Sequence, residues 1–162
     1  MIELNQEEFM KKKSLLLVVM ASFVLLLTGC GSSDEVQTMT CSRTLNQSGM
    51  NTSLNYTITH QGGYVKEVKS VETIESEDTD LLESYKSQVE NIYSPYDDID
   101  YYDYEVTVDG NKLTSTVDVD YEHIDTDKLI EIDSANSTLI KNGKIAVSDI
   151  KSVYEQLGAT CE

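Results

Sequence analysis

Basic side chains are scarce in this chain of 162 residues. Twelve lysines and arginines stand against 29 aspartates and glutamates, and Arg43 is the single arginine. Nucleic acid is bound through an excess of Lys and Arg, so a net charge of −17 and a pI near 4.3 exclude it as a partner. Signature motifs are missing too: there is no GxSxG elbow, no Walker loop and no dinucleotide-binding glycine pattern. The two histidines, His60 and His123, fall at strand ends without an HExxH, cysteine or serine context, and read as surface residues. The three cysteines lack CxxC spacing, which argues against a redox or zinc site. No internal repeat or long low-complexity tract occurs. What remains is 40% hydrophobic content and ten tyrosines, enough to supply the core of one domain despite the charge.

The N-terminus reads as an address. Lys11, Lys12 and Lys13 precede a thirteen-residue apolar stretch from Leu15 to Leu27. Thirteen residues fall short of the ~20 needed to cross ~30 Å of hydrocarbon as a helix. They fit the ~7–15-residue core of a secretory signal. The run ends in Leu27-Thr28-Gly29-Cys30, which resembles the bacterial lipobox. That resemblance implies that Cys30 receives a diacylglycerol on its sulfur and becomes the first residue after cleavage. Buried acyl chains anchor at ~0.8 kcal/mol per CH₂. Residues 1–29 are therefore expected to be a signal peptide, with a natural start at Met10, because Met1–Phe9 places three glutamates ahead of the lysines. Residues 30–37 form a lipidated tether, and 38–162 a single domain at the cell membrane, facing the extracytoplasmic side. Cleavage removes acids and lysines equally, so the exported chain keeps the whole charge imbalance.

With Cys30 assigned to lipid, Cys41 and Cys161 remain as a pair, in a compartment where disulfides persist. Bridging them would close a loop of about 120 residues, worth ~4–5 kcal/mol in the chain-entropy description. It would pin the end of the chain to its first strand.

Met39–Leu45 reads as a strand. Leu54, Tyr56 and Ile58 alternate with polar residues as a half-buried strand does, and Gly62-Gly63 turns the chain into Tyr64–Ile74. The period then changes. Leu81, Leu82, Tyr85, Val89, Ile92 and Tyr93 form one apolar helical face, with Asp80 and Glu83 as a capping pair and Ser94-Pro95 as the stop. Tyr102, Tyr104, Val106 and Val108 alternate next, and Asp109-Gly110 is a hairpin signal leading into Leu113–Tyr121. The alternation puts Tyr102 and Tyr104 in the core and Tyr101 on the other side. A short helix near Asp127–Ile132 and another over Ser148–Leu157, stopped by Gly158, complete the order βββ-α-ββ-αα. Segregated strands and helices indicate an α+β fold: a mainly antiparallel five-stranded sheet with helices packed on one face.

Two acidic features invite a functional reading. Asp97, Asp98, Asp100, Asp103 and Glu105 could offer hard oxygen ligands to Ca²⁺, although the EF-hand glycine is missing at the sixth position. A solvated acidic loop running into an acidic strand face explains the same residues. Asn142-Gly143 with Asp149 mimics half an EF-hand loop, but Thr138 and Ile140 are poor ligands, and a turn before a helix accounts for it. Abundant carboxylates leave a two-acid envelope hydrolase as a further alternative, with no pair singled out. The expectation is a non-enzymatic domain without a cofactor. Its partners would be the membrane, through its lipid, and an unidentified envelope protein or small ligand, with the chain itself a monomer.

The lipobox, Gly62–Ser76 (GGYVKEVKSVETIES), the central helix and Val153–Cys161 (VYEQLGATC) together resemble the YehR-like family of small bacterial lipoproteins of unknown function. The resemblance spans nearly all of the exported chain and implies a compact two-layer α+β domain. It carries over no catalytic residues, and the Cys41–Cys161 pair rests on this sequence alone.

Overall fold

A computed structural model describes residues 35–47 and 49–162. The signal segment, Cys30 and most of the tether lie outside the described residues. The first strand, β1 (Gln37–Gln47), pairs antiparallel with β2 (Met50–Gln61), which pairs with β3 (Tyr64–Ser76). Helix α1 (Thr79–Tyr93) follows, closed by a 3-10 turn over Ser94–Tyr96. The hairpin β4 (Tyr102–Asp109) and β5 (Lys112–Asp120) returns to the sheet, with β5 against β3. Then come α2 (Thr126–Ile132), a 3-10 turn over Ser134–Thr138, and a small hairpin of β6 (Ile140–Lys141) and β7 (Lys144–Ile145). Helix α3 (Val147–Gln156) and β8 (Thr160–Cys161) end the chain.

The α+β class and the antiparallel sheet match the sequence reading. The strand count and element order do not. The main sheet has six strands, β4-β5-β3-β2-β1-β8, and β6–β7 forms a second, separate ladder. β8 has two residues, too few to show alternation, and it exists because Cys161 lies opposite Cys41 on β1. Thr40 and Glu162 exchange both backbone hydrogen bonds, at 3.0 and 2.8 Å. The cysteines therefore occupy the neighbouring non-hydrogen-bonded position, where side chains approach most closely. They are joined by a disulfide. The small hairpin turns on Asn142 and Gly143, both in the left-handed region at φ 53° and 71°, as a two-residue I′ turn requires.

One face of the sheet is covered. Met39, Ile58, Val68, Val117 and Val119 pack with Leu129 of α2 and Ile150 of α3. A second cluster joins Ile74, Val106 and Leu113 to Leu82 and Val89 of α1. The apolar stripe of α1 is narrower than its sequence suggests, since Leu81 and Ile92 point to solvent. Its cap also differs: Asp78 Oδ1 accepts from the Leu81 N–H at 3.0 Å, two residues ahead of the expected Asp80. Such a cap contributes ~1 kcal/mol. At the other end of the chain, Gly158 takes φ 88° after α3, and the Ala159 N–H reaches the Tyr154 carbonyl at 2.9 Å. This left-handed stop turns the chain out of α3 and into β8. The opposite sheet face carries Thr40, Thr57, Thr107, Asp103 and Glu105, all exposed. Among the described residues no helix is long and apolar enough to cross a membrane.

Candidate functional site: a tyrosine-lined cavity

Between the covered sheet face and the helices lies a cavity of about 210 Å³. Five tyrosines line it, each from a different place in the chain: Tyr93, Tyr96, Tyr102, Tyr121 and Tyr154. Strand parity explains part of this. On β3 the inward positions run Val68, Ser70, Glu72, Ile74, and Ser70 lies in the cavity floor between Tyr56 of β2 and Val117 of β5. Ser94-Pro95 breaks α1 just after Tyr93, and the 3-10 turn swings Tyr96 round beside it. Tyr101 then adopts φ 71°, a reversal that leaves its own ring exposed and sends Tyr102 inward. The rings of Tyr96 and Tyr102 stack at 4.6 Å between centroids, with planes 12° apart. Tyr154 of α3 stacks on Tyr56 at 4.0 Å and 17°, fixing the far wall.

Burial is the main influence on these phenols. It pushes Tyr121 up to about 12, with Tyr96 adding to the effect. Tyr102 is raised further, by burial and then by the oxygens of Tyr93, Tyr96, Tyr121 and Tyr104. Tyr154 behaves likewise, through burial and then Tyr121, Tyr56 and Tyr93. Each of these phenols thus acts on others that line the same cavity. At neutral pH they are uncharged and can both donate and accept hydrogen bonds. Asn136 bonds the Tyr96 side chain and contributes its own amide to the lining.

A carboxylate stands beside this nest. Glu72 is the next inward residue after Ser70, in a rank that crosses the sheet through Arg43, Leu54, Glu72, Ser115 and Val106. It is half-buried, and loss of water raises its carboxyl. Its charge in turn raises the phenols of Tyr56 and Tyr93. Asp133, at the start of the second 3-10 turn, acts the same way on Tyr96. Nothing in the spacing of the sequence flags Glu72, but its parity with Val68 and Ile74 would have marked it as an inward charge.

The sequence-based candidates fall elsewhere. Asp97, Asp98 and Asp100 lie in the turns before β4, while Asp103 and Glu105 lie on the exposed outer face of that strand. Asp97 instead bonds the Tyr104 hydroxyl on the inner side. Among the described residues no group of three or more His, Cys, Asp or Glu is placed to share an ion. On the outer face Asp118 is opposite Asp103 and pairs with Lys69 at 3.4 Å. Burial and the neighbouring Asp118, which hydrogen-bonds to it, raise the Glu67 carboxyl. His123 is exposed and places Nδ1 2.6 Å from Asp120 Oδ2. A wider depression of about 430 Å³ near the β6–β7 hairpin has its charges engaged, Lys66 with Glu122 and Lys144 over the Tyr64 ring.

The phenols make a pH prediction with a definite sign. A folded-state value raised above the unfolded 10.0 contributes stability that is complete below pH 10 and is lost as pH rises toward the folded value. Unfolding in alkali is therefore expected between about pH 10 and 12, with phenolate absorbance at 295 nm and circular dichroism changing together. Phenols ionising one by one in a chain that stays folded to pH 12 would contradict this.

The sequence pattern of a family described as "protein of unknown function (DUF1307)" matches residues 38–160. No curated protein matches the chain. Two solved structures share its fold. One is the NMR structure of a protein from Streptococcus pneumoniae TIGR4, at 17% identity and a TM-score of 0.50, covering 84% of this chain and 90% of that one. The other is the NMR structure of YehR from E. coli, at 17% identity and a TM-score of 0.53, covering 79% of this chain and 91% of that one.

Proposed function

The chain belongs to the DUF1307 family, whose function is unknown, and from that premise we propose that it is a lipid-anchored extracytoplasmic domain that binds a small ligand in the tyrosine-lined cavity. The convergence of five phenols from five separate places on one small space carries this reading. A packing gap in an apolar core needs no such assembly of polar tips. The tyrosine hydroxyls and the Asn136 amide of the lining can donate and accept hydrogen bonds to a bound molecule. The lipobox supports the anchor, and the exported charge of −17 supports a tether over surface adsorption, since an anionic leaflet repels it.

Two measurements test the two halves. In cells fed labelled palmitate, the wild-type chain is expected to take up label and Cys30→Ala to lose it and leave the membrane fraction. A Cys30→Ala chain that is still labelled refutes the anchor. For the cavity, NMR spectra recorded against a library of small polar fragments are expected to shift the amides of Ser70, Tyr102 and Tyr154 together. Shifts scattered over the surface, or none, refute the site.

A further inference from the structure

We propose that the ligand of this cavity is a small organic ammonium ion, held against tyrosine faces and phenol oxygens with Glu72 as its counter-charge. The inference rests on the cavity being a binding site and adds the class of what it binds. Three observations converge on it.

The first is the sign of the surroundings. The phenols stay neutral, and no lysine or arginine belongs to the lining. Carboxylates flank it instead, Glu72 acting on Tyr93 and Asp133 on Tyr96. Arg43, two strands from Glu72 in the same rank, acts on Tyr56, whose ring stacks on Tyr154, and is not part of the lining. An anion would find phenol and amide donors, but it would also meet the negative charge of the flanking carboxylates with no lysine or arginine in the lining to offset it. The chain as a whole, at −17, also draws cations toward its surface.

The second is the kind of wall. Aromatic faces attract cations through the ring quadrupole, and cages of aromatic rings are a recurring way to hold quaternary ammonium groups. Phenol oxygens add lone pairs for any N–H the ligand carries. The third is size. At about 210 Å³ the cavity lies below the ~300–1,000 Å³ of drug-sized pockets. An ammonium ion with a few carbon atoms fits, and a polymer or a nucleotide does not.

Glu72 is also placed where structure alone gains little from a charge. It occupies an inward, half-buried position of a central strand, beside the buried Ser115, and loss of water raises its carboxyl. A cationic ligand would offset that loss of hydration.

Choline and its uncharged carbon isostere, 3,3-dimethylbutan-1-ol, separate charge from shape. With the purified protein, choline chloride is expected to shift the Ser70, Tyr102 and Tyr154 amides saturably, and the isostere to bind about tenfold more weakly or less. Glu72→Gln is expected to reduce choline affinity several-fold and to leave the isostere unchanged. Equal affinity for the two compounds overturns the ammonium assignment while leaving the cavity a binding site. Failure of choline to shift those amides also overturns it; if the fragment library fails there as well, the cavity reading falls separately. Should Glu72→Gln not fold, the two-compound comparison on the wild type still decides.

Discussion

Replacing both Cys41 and Cys161 by alanine is expected to lower the melting temperature by about 10–20 °C, and reduction of the wild type to do nearly the same. The bridge closes a loop of 120 residues, whose release into the unfolded ensemble is worth about 4–5 kcal/mol. In a domain of this size each kcal/mol moves the melting point by roughly 3–4 °C. The effect reaches the cavity. β8 has only two residues in the sheet, and the turn at Gly158 links it directly to the end of α3. Once β8 is free to peel away, α3 is held by Ile150 and by the Tyr154–Tyr56 stack alone at that end. Amides of α3 should then exchange with solvent faster than those of β3. Melting curves that coincide with and without reductant would show that the bridge is not formed or does not restrain the chain.

Leu82→Ala is expected to cost ~2–5 kcal/mol, the range for removing a fully enclosed leucine side chain. Leu82 is 0% exposed and is the side chain by which α1 enters the smaller cluster of Ile74, Val106 and Leu113. With Leu81 and Ile92 turned outward, only Val89 and the two half-covered rings of Tyr85 and Tyr93 remain to hold the helix. The loss should be local before it is global. Hydrogen exchange is expected to accelerate over Thr79–Tyr93 well ahead of β2. Uniform acceleration over the whole chain would mean that the two clusters melt as one unit.

The sheet was readable from the residues because a strand buries alternate side chains. Tyr102 and Tyr104 lie inward and Tyr101 outward, as their parity requires, and Leu113, Ser115, Val117 and Val119 form the inner edge of β5. Helix positions were less legible. The apolar stripe of α1 is narrower than its residues suggest, with Leu81 and Ile92 exposed, because periodicity does not encode which margin of an apolar face meets the sheet. The β6–β7 hairpin did carry a signal, Asn142-Gly143, but two-residue strands offer no periodicity to support it. β8 depends on a contact between residues 120 apart, which local pattern does not encode. The cavity is hidden for the same reason. Ser70, Tyr102 and Tyr154 share no spacing, and they meet only once the sheet and helices have packed. The acidic run was conspicuous because its residues are contiguous. The run divides because Asp97, Asp98 and Asp100 belong to the turns before β4, while Asp103 and Glu105 lie on the outer face of the strand itself.

The strand order leaves β4 at the margin of the sheet, with backbone groups open to another strand. Such a margin is the usual starting point for chains to knit together edge to edge. Here every copy presents Asp103, Glu105 and Asp109 along that strand. Two molecules approaching margin to margin would set carboxylate against carboxylate over the length of the ladder they were trying to form. Acidity at this strand thus works as insulation against one β4 pairing with another.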